Sequence, residues 1–207
     1  MMTRYFYVIL SLLFLGSVAA CSPATAIPAE QTPTSPPAAV EPYHPLNTRT
    51  GVGVIDNVIE TVARGDQEAL TALIEFTQAP CTHADGLGGP PKCREDEEEG
   101  TIFEVLPFLG GEGSFLRRDE MENWAGFTST GIYAVYEVNA AVITAEQYYP
   151  IGNYVILFAG EDNQPAVALR IGERGIVRVD YIFDTSPESL RAMVEREAST
   201  VILAPRS

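Results

Sequence analysis

The residues best suited to chemistry lie in one segment, 81–100, which reads CTHADGLGGPPKCREDEEEG. Its two cysteines, one histidine and five consecutive acids allow a metal site, a thiol-redox centre or a disulfide. Zinc takes four ligands, usually in closely spaced pairs, and Cys81, His83 and Cys93 supply neither a fourth ligand nor that spacing. Calcium loops alternate their oxygen ligands, which the acidic run at 95–99 does not do. Redox cysteines are typically two residues apart, whereas eleven separate these.

A disulfide between Cys81 and Cys93 is therefore the preferred interpretation, with no metal and no cofactor. The enclosed residues are rich in glycine and proline, which form turns but cannot build a core. Closing a loop of this size stabilises a fold by about 3 kcal/mol in the chain-entropy treatment. The acids at 95–99 are predicted to form a solvated face. The segment is thus predicted to be scaffold, and it is similar to stretches of exported bacterial proteins that carry no assigned activity.

The N-terminus has the pattern of an export signal. Arg4 precedes an apolar stretch at 5–15, which is too short to span a bilayer, and small residues follow it. The sequence VAAC at 18–21 resembles the lipobox of bacterial lipoproteins. This resemblance implies cleavage before Cys21 and acylation of its thiol, with palmitate among the attached chains. An ordinary signal peptide with an incidental cysteine is the alternative.

The resemblance also implies a location and three segments. The chain is predicted to be lipid-anchored to the cell membrane on its extracytoplasmic side, an oxidising setting that suits a disulfide. Residues 1–20 are predicted to be the signal peptide and 21–45 a lipidated, proline-rich tether that contains a solvent-exposed His44. Residues 46–207 are predicted to form a single domain.

The domain is predicted to have an α+β fold. An apolar stripe with helical spacing at 54–78, interrupted at Gly65, indicates an N-terminal helical pair. Serine and proline at 186–187 indicate the start of a C-terminal helix. Between them we expect a curved antiparallel sheet of about four to six strands, by analogy with cystatin-like and NTF2-like folds. The best-defined strand patterns, rich in β-branched and aromatic residues, fall at 131–140, 153–160, 165–172 and 175–184.

Composition and motifs leave two function classes open. A net charge of −15 argues against nucleic-acid partners, which need exposed Lys and Arg. No glycine-flanked serine accompanies His83, and no phosphate-binding loop is present, so catalytic residues are unknown. We expect a non-enzymatic binding or scaffold domain whose partner is an envelope protein or a small molecule.

The alternative is an envelope hydrolase that uses acidic residues in a sheet-lined pocket. Its candidate acids lie in or beside the predicted strands, and nearby aromatics offer stacking surfaces for a sugar or peptide. The acids are Glu104, Glu112, Glu137, Asp180 and Asp184. The aromatics, which core packing explains equally, are Phe115, Trp124, Phe127, Tyr133, Tyr136, Tyr148 and Tyr149.

Overall fold

The computed structural model of the chain describes residues 42–86, 88–143, 148–160 and 164–206. All of them belong to the compact unit Ala39–Ser207. The predicted signal peptide, the predicted acylation site Cys21 and most of the predicted tether lie outside the described residues. None of the described helices has both the length and the apolar content that a membrane span requires.

The described chain begins with two helices and continues mainly as strands. It contains three α-helices, a short 3₁₀ helix and eight strands. In chain order they are α1 (Gly53–Arg64), α2 (Gln67–Ala72), β1 (Thr77–Pro80), β2 (Ile102–Gly110), β3 (Glu112–Arg117), the 3₁₀ helix (Arg118–Asn123), β4 (Gly131–Val138), β5 (Tyr154–Ala159), β6 (Ala166–Ile171), β7 (Ile176–Ile182), α3 (Pro187–Glu197) and β8 (Ala198–Leu203).

The eight described strands form one mixed sheet. Their order is β1-β2-β7-β6-β5-β4-β8, and β3 pairs with β2 outside this path. Strands β4 to β7 form an antiparallel meander, and β8 pairs antiparallel with β4. Strands β2 and β7 instead run parallel, with Phe108 opposite Val179. The sheet therefore joins a C-terminal meander to the strands formed by 77–117.

The predicted architecture, a helical pair followed by an antiparallel sheet of about four to six strands and a closing helix, is wrong. The structure is dominated by an eight-stranded mixed sheet, and α3 is followed directly by another strand rather than ending the fold. The parallel β2–β7 pair joins segments about seventy residues apart, which local sequence patterns do not specify. The analogy with cystatin-like and NTF2-like folds, which was based on that architecture, is therefore wrong as well.

Helix α2 shows how tertiary pairing overrides a helical pattern. Asp66 caps its start by accepting a hydrogen bond from the Ala69 N–H. The apolar spacing continues beyond Ala72, yet the helix ends there. The backbone at 73–75 instead exchanges hydrogen bonds with Ile176, from Ile176 N–H to the Leu73 carbonyl and from Glu75 N–H to the Ile176 carbonyl, both 2.8 Å. Pairing with the start of β7 thus replaces a further helical turn.

Both faces of the sheet are buried, each against different helices. One apolar cluster joins the inward residues of α1 and α2 to one face, and Ile55, Val58 and Ile59 in α1 are fully buried. A second cluster joins Leu190 and Met193 of α3 to the opposite face. Side chains on β6 and β7 therefore face a covered layer on both sides, so a charged residue there is removed from water.

Candidate functional site

Cys81 and Cys93 form a disulfide, as the sequence predicts. The loop that it closes is also held from β3 by Arg117, whose side chain is only 4% exposed. The Arg117 guanidinium donates to both carboxylate oxygens of Glu97, at 2.6 and 2.8 Å, and to the Lys92 carbonyl. It also lies 3.9 Å from the centre of the Phe103 ring, in cation–π geometry. The segment is a packed part of the fold.

The prediction that the acids at 95–99 form a solvated face is wrong for Glu97, whose side chain is only 15% exposed, whereas Glu99 is exposed but engaged in hydrogen bonds. The hydrogen bonds from Arg117 lower the pKa of Glu97 to about 2, against the opposing effect of its partial desolvation. Hydrogen bonds from the His83 N–H and the Thr82 hydroxyl lower the pKa of Glu99. Both carboxylates thus hold the loop together in the ionised form.

Among the described residues, one set of metal-ligating side chains comes together, His83, Cys93 and Glu99, with ligand atoms within 4.8 Å of one another. The Cys93 sulfur is committed to the disulfide, which removes the thiolate that a metal would bind. Both Glu99 oxygens accept hydrogen bonds from within the loop, and His83 Nε2 lies 2.9 Å from the Glu97 carbonyl oxygen. These three residues therefore act as structural contacts.

A buried charge network occupies the sheet face beneath α3. Arg170 on β6 lies directly opposite Arg178 on β7, and Asp180 follows two residues later on the same face of β7. Tyr136 on β4 belongs to the same row across the sheet, because Val155 on β5 lies opposite both Tyr136 and Arg170. The last residue of α3 closes the network from above with its carboxylate.

Asp180 accepts from both arginines of the network. Arg178 binds it through two nitrogens, with Nε 2.7 Å from Oδ1 and Nη2 2.8 Å from Oδ2, while Arg170 Nε lies 2.7 Å from Oδ2. This two-nitrogen geometry is the strongest form of the arginine–carboxylate contact. The three side chains are each no more than 7% exposed, so their charges are compensated inside the fold.

Glu197 connects this pair to β4 and to the surface. Its Oε2 accepts from Arg170 Nη2 at 2.8 Å and from the Tyr136 hydroxyl at 3.2 Å, and its Oε1 accepts from Arg196 at 2.9 Å. Burial opposes the charged form of Arg170, yet the carboxylates of Asp180 and Glu197 outweigh it and raise its pKa. Burial raises the pKa of Tyr136 far above its ordinary value, and the Glu197 charge raises it further, so the phenol remains a neutral donor.

A cavity of about 330 Å³ opens beside this network. Its charged side is formed by Arg170, Arg178, Asp180, Arg196 and Glu197. The backbone of Gly110 and Gly111, at the turn between β2 and β3, lines another part, and Gly111 has a φ of 82° that favours glycine. The apolar lining consists of Leu109, Ile143, Tyr181, Ile182 and Met193. This volume lies at the small end of the range for ligand pockets.

Three larger cavities offer less chemistry, and the charged residues at one of them, of about 390 Å³, form the Glu104–Arg118 and Glu75–Arg174 ion pairs. One of about 650 Å³ lies between the segment at 42–45 and β5, and none of the described residues that line it is Asp, Glu, Lys or Arg. Another of about 560 Å³ is lined by Glu75, Glu137 and Glu173. Glu75 is paired with Arg174 at 2.7 Å, and Glu137 and Glu173 are exposed. The cavity of about 330 Å³ is therefore smaller than these others, but it is the one at which buried polar groups converge.

The acids proposed from the sequence do not converge. Only Asp180 belongs to the buried network. Glu104 pairs with Arg118 at 2.8 Å in an exposed contact, and Asp184 accepts hydrogen bonds from Ser186 and Ser189 at the start of α3. Glu112 and Glu137 are exposed. Of the aromatics, Trp124, Tyr133, Tyr136 and Tyr149 are buried.

Sequence reasoning missed Arg170, Arg178 and Glu197. Strand patterns place charged residues on a solvent-facing side, whereas α3 covers that side here. One signal was available in α3. Glu197 follows Leu190, Met193 and Val194 with helical spacing, so it lies on the buried stripe of its helix. A carboxylate on such a stripe requires a buried cationic partner.

Comparison with known proteins adds no assignment. No protein-family model matches this chain, and neither the curated proteins nor the solved structures contain a significant match.

Proposed function

We propose that this chain is an exported bacterial lipoprotein whose domain binds a partner without catalysing a reaction. Acyl chains on Cys21 anchor it to the cell membrane on the extracytoplasmic side. The lipobox resemblance at 18–21 supports the anchor. The Cys81–Cys93 disulfide adds independent support, because such cross-links persist in oxidising compartments. The partner is an envelope protein or a small molecule, since the charge of −15 disfavours nucleic acid.

The binding assignment depends on how the two carboxylates at the 330 Å³ cavity are engaged. Asp180 accepts three hydrogen bonds, all from arginines, and Glu197 accepts three, from two arginines and a tyrosine. A general acid needs a carboxylic proton, and a base or nucleophile needs a lone pair aimed at substrate. Carboxylates engaged in this way counterbalance the arginines, which supports binding over acid-dependent hydrolysis.

Metabolic labelling tests the anchor. Bacterial cells that express the full chain are grown with an alkyne analogue of palmitate, and the purified protein is examined for label. We expect label on the wild type and on Ser22→Ala, and none on Cys21→Ala. A wild type without label, or a Cys21→Ala variant labelled as strongly as the wild type, contradicts acylation at this residue.

Native mass spectrometry tests binding. The full chain is purified in mild detergent from the cells that naturally make it. We expect a non-covalent adduct on the wild type and on Met193→Leu, and its loss in Met193→Trp, where the larger side chain fills the cavity. An adduct that persists unchanged in Met193→Trp removes the cavity from the proposal, and a wild type without any adduct contradicts the binding assignment.

A further inference from the structure

The described side chains that line the cavity beside the charge network include one more cation than anions. Arg170, Arg178 and Arg196 line it together with Asp180 and Glu197, so among the described lining residues three cations face two anions. Tyr136 adds no negative charge, because its phenol stays protonated. The whole chain has a net charge of −15, which makes a net positive cavity a local exception. A monoanionic ligand would complete the charge balance.

The position of the excess charge favours a ligand that enters from solvent. Asp180 takes up Arg178 and shares Arg170 with Glu197, all within the buried layer. Arg196, by contrast, has a side chain that is 67% exposed, and its Nη2 donates to Glu197 Oε1 at 2.9 Å. A guanidinium has five N–H donors, so Arg196 keeps donors for an incoming anion.

The uncharged residues that line the cavity indicate the chemistry of the rest of the ligand. Met193, Ile182 and Leu109 are apolar, and the glycine turn at 110–111 adds backbone without side chains. Cavities with apolar walls and a few polar groups at one end bind small amphipathic molecules. At about 330 Å³, the space suits a compact body with few rotatable bonds.

We propose that this cavity binds a small organic carboxylate, with the carboxylate at Arg196 beside the arginine pair and the apolar body against Met193, Ile182 and Leu109. The inference deepens the binding function proposed above and depends on it. It names a ligand class, whereas the anchor and the existence of a bound partner are tested separately.

The methionines provide a local readout. The chain has four, and the two at its start, Met1 and Met2, leave with the predicted signal peptide. Met193 lines the cavity, and Met121 is buried in the apolar cluster on the opposite face of the sheet. In methyl NMR spectra of the full acylated chain in lipid nanodiscs, Met193 reports occupancy and Met121 serves as an internal control.

Three probes that share one body separate the head-group chemistries: 4-phenylbutyrate, its neutral amide and 4-phenylbutylamine. We expect 4-phenylbutyrate to shift the Met193 signal saturably, to leave Met121 unchanged, and to bind at least about tenfold more tightly than the amide or the amine. Arg196→Gln should weaken this binding by about tenfold. Arg191→Gln, which removes the same charge from an exposed position of α3, should not change it.

Each contrary result points to a different failure. If the amide or the amine binds at Met193 as tightly as 4-phenylbutyrate, the carboxylate class is wrong while a binding cavity stands. If none of the probes shifts Met193 although native mass spectrometry shows a cavity-dependent adduct, the ligand class is again wrong and the proposed function survives. Equal weakening by Arg196→Gln and Arg191→Gln removes Arg196 from the site.

Discussion

Arg170 and Arg178 lie directly opposite each other on neighbouring strands, and both donate to the carboxylate of Asp180. Two like charges in a cross-strand pair are unfavourable unless a counter-charge lies between them. Asp180 supplies that counter-charge from the next inward position of β7, and Glu197 supplies a second one from α3. The pairing of β6 with β7 and the docking of α3 are thus coupled through one ionic network.

Replacing Asp180 with asparagine should destabilise the fold strongly. The amide keeps the shape of the side chain but leaves Arg170 and Arg178 facing each other with one anion fewer, inside a layer from which water is excluded. Removing one partner of a buried ion pair costs about 3 to 5 kcal/mol in the free energy of unfolding. Urea denaturation of the wild type and of Asp180→Asn measures this loss.

Glu137→Gln is the matched control, because it removes one carboxylate from an exposed position on β4 of the same sheet. Its free energy of unfolding should stay within about 0.5 kcal/mol of the wild type. If Asp180→Asn lowers the free energy of unfolding no more than this control does, Asp180 is not the counter-charge for the two arginines that the geometry indicates.

The contact between Arg117 and Glu97 should make stability depend on acidity. The pKa of Glu97 is lowered to about 2 in the folded chain from an ordinary value of 4.5. A carboxyl group with a lowered folded-state pKa contributes its full stability above pH 4.5, and the contribution is lost as the pH falls towards 2. The difference in unfolding free energy between wild type and Glu97→Gln should therefore shrink over that interval.

Chemical denaturation of both proteins at a series of pH values measures this difference. Glu95→Gln removes an exposed carboxylate two positions away and serves as the control for the change in net charge. A difference between wild type and Glu97→Gln that stays constant from pH 5 to pH 2 is incompatible with an ionised Glu97 stabilising the loop.

The disulfide should stabilise the same loop through the unfolded state. Cys81→Ala combined with Cys93→Ala opens a cross-link between residues separated by twelve positions, and the chain-entropy treatment gives a loss of about 3 kcal/mol. Urea denaturation measures the loss, and wild type reduced by dithiothreitol should unfold at the same urea concentration as the double variant. If oxidised and reduced wild type have equal stability, the cross-link contributes nothing.

Local patterns in the sequence located several elements but not the way they pair. The apolar spacing of Ile55, Val58 and Ile59 marks the buried side of α1, and Ser186 caps α3 by accepting from the Ser189 N–H. Such features depend on neighbours within a few residues. The parallel β2–β7 pair and the addition of β8 to β4 depend on segments distant along the chain. Periodicity carries no information about those partners.

The candidate site could not be predicted from the sequence for a related reason. A charged residue in a strand is normally solvated, so the sequence pattern places Arg178 and Asp180 on the solvent-facing side of β7. They are buried only because α3 packs over that side, and this tertiary packing cannot be predicted from the local sequence pattern. The disulfide could be predicted from the sequence, because the prediction needs only a count of the cysteines and an oxidising location. The charge network needs the register of β6 and β7, in which Arg170 lies opposite Arg178.

His44 was expected to be solvent-exposed in the tether, but it is half-buried and joins the N-terminal segment to the end of the chain. Its backbone exchanges two hydrogen bonds of 2.8 Å with Ile132 at the start of β4. Arg206 Nε donates to its Nδ1 at 3.3 Å, which leaves Nε2 protonated to donate to the Ala204 carbonyl at 2.7 Å. A predicted membrane tether is thus fixed to the sheet beside the C-terminal residues.

His44→Ala should therefore loosen this junction while leaving the rest of the sheet intact. Loss of the ring contacts should cost about 1 kcal/mol, because they are hydrogen bonds at a partly exposed site. Hydrogen exchange at the Ile132 N–H should accelerate, since its acceptor is the His44 carbonyl. The other histidine of the chain provides the control, because His83→Ala alters the disulfide loop and should leave exchange at Ile132 unchanged. If His44→Ala and wild type exchange Ile132 at the same rate, the backbone pairing alone holds the segment and the imidazole contributes nothing to it.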